Sequence, residues 1–194
     1  MKKLITLSFL GLLLVACEEK STNQVTMNDD GEITISKKSL EIIHQIEKDY
    51  KACRDAAESR SDCKNFTTES LAKFYQITDE ELMKDGEYIN YDKLPELVEN
   101  SENWSLIGDA EDQSTLNKAQ TASNTGHAVI AFIEDKKGGH VAMIIPGEMR
   151  MSNKWKLKCP NSAGFFRHKT ESYTNKQLSY SFRSPEDLVV YKHN

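Results

Sequence analysis

The sequence predicts an α+β domain, helices first and an antiparallel sheet after them, and three observations carry that expectation. Apolar residues recur at helical spacing through the first half of the chain, from Leu40 to Tyr75 and again around Leu116. After Gly126 the composition shifts to β-branched and aliphatic runs, Ala128 to Ile133 and His140 to Ile145, on either side of a Gly138-Gly139 turn. With 194 residues and 38% hydrophobic content, the chain has room for one core and one domain.

Residues 1–16 read as a signal peptide. Lys2 and Lys3 form a positive start, and Leu4 to Val15 is an almost unbroken apolar run. At about a dozen residues it is too short to span a hydrocarbon core of roughly 30 Å. It ends in Leu14-Val15-Ala16-Cys17, which resembles the bacterial lipobox, so Cys17 is expected to carry the lipid. Glu18 stands where Asp would mark inner-membrane retention, which favours an outer-membrane anchor on the periplasmic side. Residues 17–38 are polar and read as the lipidated Cys and a flexible tether, with the domain proper at 39–194.

Ser39 is the expected cap of a first helix carrying Leu40, Ile43, Ile46 and Tyr50 to about Ala57. A second helix is expected from Ser61 or Asp62, carrying Phe66, Leu71, Phe74 and Tyr75. Thr78 to Glu81 reads as a short capped helix, and 85–95, with Gly86, Asn90 and Pro95, as irregular chain. Leu106 is placed on a short strand. Asp109 or Asp112 opens a helix that stops at Asn124-Thr125-Gly126. The strands at 128–133 and 140–145 then form a hairpin, Trp155 to Lys158 reads as a third strand, and Leu188 to Tyr191 as a last one.

The formal net charge is −5, which excludes a general nucleic-acid binder because phosphate neutralisation needs a basic surface. No metal site is expected. There is no His-x-x-x-His or Cys-x-x-Cys, and His127 and His140 bracket one hairpin about 20 Å apart. The absence of a Gly-rich phosphate loop implies no nucleotide cofactor. Trp104 and Trp155 read as core or cleft-wall residues.

Cys63 stands at the expected start of the second helix, where the helix N-terminus would lower a thiol pKa and the neighbouring amide could face an oxyanion. His140 begins a strand after a tight turn and is the candidate base. Asp62-Cys63-x-x-Phe66 followed by Gly139-His140-Val141-Ala142 resembles the NlpC/P60 and CHAP superfamily of papain-like cysteine hydrolases. The stretch from Trp104 to Val129 and the motif Trp155-x-x-Lys158-x-Pro160-Asn161-Ser162 extend the likeness over roughly residues 50–192. Lys64 departs from the Ser or Asn usual beside the nucleophile.

The resemblance implies a papain-like core and acyl transfer. Cys63 would attack an amide carbonyl, His140 would move the proton, and a third group after the His would orient the ring. Asn161 is the choice for that third group, with Ser152 and Asn153 as alternatives. The expected activity is a lipid-anchored, monomeric cysteine peptidase or amidase cleaving amide bonds in peptidoglycan peptides. A non-catalytic envelope-binding lipoprotein on the same fold, or an acyl transferase, are the alternatives. In an oxidising compartment Cys53 and Cys159 are expected to pair and leave Cys63 reduced. A Cys53–Cys63 bridge is the competing pairing and would remove the nucleophile.

Overall fold

Two strand-forming triplets precede the helices. β1 (Val25–Met27) and β2 (Ile33–Ile35) pair antiparallel, with Val25 opposite Ile35. Part of the stretch 17–38, read as a flexible tether, is thus a paired ribbon. The isoleucines give β2 strand propensity, and Ile35 packs against the core. The computed structural model describes residues 25–27, 33–59, 62–78, 80–133, 140–166 and 171–194, so Cys17, expected to carry a lipid, and the stretch 1–16, expected to be a signal peptide, lie outside the described residues.

α1 (Lys37–Ala56) is capped by Ser36, whose side chain accepts from the Ser39 amide at 3.1 Å. The cap is therefore three residues earlier than expected, and Ser39 is buried inside the first turn. Ile43, Ile46 and Tyr50 form its buried stripe. α2 (Phe66–Tyr75) begins after the 62–65 turn rather than at Asp62. A 3-10 turn (Glu80–Leu82), β3 (Met83–Lys84) and β4 (Glu87–Tyr88) follow. α3 (Leu94–Asn100) replaces the irregular chain expected near Pro95. Pro95 sits in the first turn, where its missing N–H costs no helix bond, and Leu94 and Val98 face inward.

β5 (Trp104–Asp109) leads into α4 (Gln113–Asn124), capped by Asp112, which accepts from the Ser114 amide at 2.8 Å. Then come β6 (Val129–Ile133), β7 (Val141–Ile144), the short ribbon β8 (Arg150–Met151) and β9 (Lys158–Cys159), β10 (Asn161–Phe165), β11 (Ser172–Gln177) and β12 (Leu188–His193). Six of them form one sheet in the order β11-β10-β7-β6-β12-β5, every neighbour antiparallel. The fold is α+β, as the order of helical and strand patterns indicates. The strand expected at Trp155 to Lys158 is instead a tight turn closing into β9, and β10 supplies the sheet strand.

Both faces of the sheet are covered. Val141, Met143 and Ile145 alternate with Ala142 and Ile144 along β7 and its continuation. The first set packs with Leu71, Phe74 and Tyr75 of α2 and Leu94 and Val98 of α3. The second packs with Leu116 and Ala119 of α4 and with Trp155, Leu178 and Phe182. Tyr75 ties the layers at one end of the sheet. Its hydroxyl donates to the Ile144 carbonyl at 2.5 Å and meets Ser123 Oγ of α4 at 3.0 Å. Burial pushes its phenol well above the ordinary tyrosine range. No described helix is long and apolar enough to cross a membrane.

Phe132 is fully buried and stacks on Tyr191 at 5.5 Å between ring centres. Phe132→Ala is expected to cost about 3–5 kcal/mol, read as a lower denaturation midpoint at unchanged slope. A loss below about 1 kcal/mol would contradict this packing.

Candidate functional site

The segment from Asp62 to Phe66 is held by five separate ties. The Asp62 carboxylate accepts from the Ser59 amide at 3.0 Å, closing the turn after α1. Cys63 is bonded to Cys53 of α1. Lys64 donates through Nζ to Asp92 at 2.7 Å, with both side chains largely shielded, and its carbonyl accepts from the Tyr91 amide at 2.9 Å. Phe66 opens α2 and lies edge-on to Tyr50 at 5.4 Å. The residues that resemble a nucleophile motif thus fasten α1, α2 and the 91–93 turn to one another.

The disulfide is the main correction. Cys53 pairs with Cys63, the competing bridge, and not with Cys159. The sheet explains why. Cys53 belongs to α1, and Cys63 packs on the same side with Ile46, Tyr50 and Phe165. Cys159 is a free, fully buried thiol among the α4-side residues, where burial pushes its pKa up. Cys63 also takes a left-handed backbone, φ 62°, which side chains other than Gly adopt at some cost. Its sulfur is neither free nor at the first turn of a helix.

His140 lies near the same end of the sheet as Cys63 but on the opposite face. Ala163 is opposite Met143, which carries Phe165 to Val141 and Phe166 to His140. Phe165 belongs to the cluster with Cys63. The His140 ring stacks on Phe166 at 5.4 Å and meets Phe182 of the α4-side core at 5.3 Å. Its Nε2 is sealed from solvent, with no hydrogen-bond partner among the described residues. Burial lowers the imidazole to about 4. The expected Cys63–His140 pair is not brought together.

Asn161 is corrected as well. It lies opposite Ile145, five residues along from His140, a distance of about 17 Å in extended chain. Its amide donates to the Pro146 carbonyl at 2.9 Å, and its Oδ1 accepts from Arg150 at 2.9 Å. A Cβ on Gly147 would stand 2.6 Å from Asn161 Nδ2, and Gly147 has φ 149°, so the turn closes on the asparagine only with glycine there. Asn161 is a turn lock. Ser152, an alternative third residue, accepts from the Trp155 amide at 3.2 Å inside the β8–β9 turn, and Asn153 is exposed beside it. Trp104 and Trp155 are buried.

A different place offers room for a ligand. An open groove of about 590 Å³ runs between α4 and the β5–β12 edge, with Leu106, Ile107 and Ala122 beside Lys118, His127 and Lys192. No carboxylate lines it. Sequence reading missed it because Lys118 and Lys192 lie far apart in the chain. The available signal was the polar stripe Asn117, Lys118, Thr121 and Thr125 along one side of α4.

A scan of family models finds none that matches this chain, and comparison with curated proteins finds no match.

Two outcomes follow from this geometry. Cys53→Ser and Cys63→Ser are each expected to lower stability by about 2–3 kcal/mol, the loop-closure value for a bridge spanning about ten residues. Measured unfolding equal to wild type would place the sulfurs apart. His140 is neutral when folded, whereas in the unfolded chain it takes up a proton near 6.5. The unfolded state therefore binds the proton first, and stability falls as pH drops from 6.5 towards about 4. His140→Phe keeps the stacked ring and removes this titration, so urea midpoints at pH 7.5 and 5.0 should differ less than in wild type. Equal differences in both proteins would contradict a buried, neutral His140.

Proposed function

We propose that this chain is a lipid-anchored envelope lipoprotein that binds carboxylate-bearing wall peptides without cutting them. The observation that carries this reading is the Cys53–Cys63 bond. It occupies the sulfur that the sequence offered as a nucleophile, and a bond of this kind persists in an oxidising, extracytoplasmic compartment. That compartment is also where the Lys2-Lys3 start, the apolar run and Cys17 would deliver the chain.

The hydrolase reading loses support on two further counts: His140 faces away from Cys63, and Asn161 locks a turn. The groove beside α4 supports binding. Lys118 and Lys192 stand beside Leu106, Ile107 and Ala122 in a protein of net charge −5. Short peptides with free carboxylates and small side chains match that combination, the charges setting orientation and the apolar residues burying methyl groups.

Titration of soluble muropeptides into the mature protein, followed by mass analysis, tests this. Binding is expected with peptides unchanged, and Lys118→Glu with Lys192→Glu should weaken it about tenfold or more, since two favourable charge contacts become repulsive. Cleaved peptides from wild type but not from Cys63→Ala would restore the hydrolase reading and overturn this one.

A further inference from the structure

The charge of this protein is unevenly distributed. Residues 149–166 and 172–185 contain six Lys or Arg and no Asp or Glu, although the whole chain carries −5. All five ion pairs among the described residues involve cations from the first 73 positions, as in Lys51–Asp55 and Lys64–Asp92. None involves the six basic groups of the later segments.

The fold gathers those groups at one corner. Arg150 of β8 donates to the Asn175 carbonyl of β11 and to Asn161 Oδ1, both at 2.9 Å. Lys154 donates to the Phe182 carbonyl at 2.8 Å, which seats the β8–β9 turn beside the 3-10 turn Leu178–Tyr180. Trp155 roots the turn in the core. These two cations are satisfied by neutral oxygens, so their charge is uncompensated. Lys156, Lys158, Lys176 and Arg183 are exposed. Met151 and Tyr180, in the same corner, are 58% and 50% exposed, two of the four large hydrophobics exposed among the described residues.

We infer that the β8–β9 ribbon, with the neighbouring β11 edge and the Leu178–Tyr180 turn, is a membrane-contacting face that seats on anionic phospholipid headgroups. Cations around an exposed Met and Tyr make the composition of an interfacial surface. Lys and Arg meet headgroup phosphates while the apolar and amphipathic tips enter the acyl boundary. Headgroup contact at this corner would fix the orientation of a domain that the anchor alone leaves free to turn. This inference rests on the anchored part of the proposed function and is independent of the groove.

The mature lipoprotein is first floated with vesicles of neutral phosphatidylcholine, where flotation reports the anchor alone. Lysine acylation is then read residue by residue on neutral vesicles and on vesicles containing phosphatidylglycerol. Lys156, Lys158 and Lys176 are expected to be protected at least fivefold more on the anionic vesicles, about the effect of one basic group at such a surface. Lys37 and Lys51 on α1 should label equally on both, and 0.5 M salt should erase the difference. Lys156→Glu with Lys158→Glu should abolish the protection at Lys176 while leaving flotation and folding intact. Failure to float removes the anchor and, with it, this proposal. Flotation with equal labelling on both vesicles overturns the membrane face by itself. Equal protection by soluble polyglutamate would overturn it in favour of acidic polymers.

Discussion

The alternation of β7 decides the chemistry this molecule can do. The strand is buried on both faces, with Val141, Met143 and Ile145 turned to α2 and α3, and Ala142 and Ile144 turned to α4. No register shift can be tolerated there, because moving by one residue would exchange two differently shaped cores. His140 inherits its direction from that constraint. It stands with Phe166 and Phe182 while Cys63 stands with Tyr50 and Phe165, and the sheet lies between the two sets. The cysteine and the histidine expected to act together are thereby separated by a layer of backbone.

The fold was largely legible because its signals are local. Ile43, Ile46 and Tyr50 repeat at helical spacing, Asp112 caps α4, and the 128–133 and 140–145 runs pair antiparallel. The misreadings have physical causes. Pro95 breaks a helix in its interior but fits its first turn, so α3 was hidden behind a residue with two meanings. β10 contains Asn161, Ser162, Ala163 and Gly164, small and polar residues with low strand propensity. It is a strand because β7 and β11 flank it, and Gly164 leaves space for the Tyr173 ring. That is tertiary context, which no short window contains.

The candidate site was less legible, for a related reason. The residues Asp62, Cys63, His140 and Asn161 are where the motifs lie, but their roles depend on partners remote in sequence. Asp92 claims Lys64, Arg150 and Pro146 claim Asn161, and Cys53 claims Cys63. Which sulfur pairs with which is a question of sides of a sheet, and sequence spacing carries no information about sides. The groove by α4 was invisible for the same reason, its lining being assembled from a helix, a turn and the last strand.

The unpaired Cys159 has a consequence for how the chain matures. Its thiol is enclosed beneath the β8–β9 ribbon, so the finished protein shields it from oxidants. Before that layer closes, the sulfurs of Cys53, Cys63 and Cys159 are all available to one another. The observed bond joins the two that would emerge first on the proposed export route, ten positions apart. An oxidase acting on cysteines in order of arrival would join them before Cys159 is presented, so the order of the sequence itself guards against a scrambled isomer.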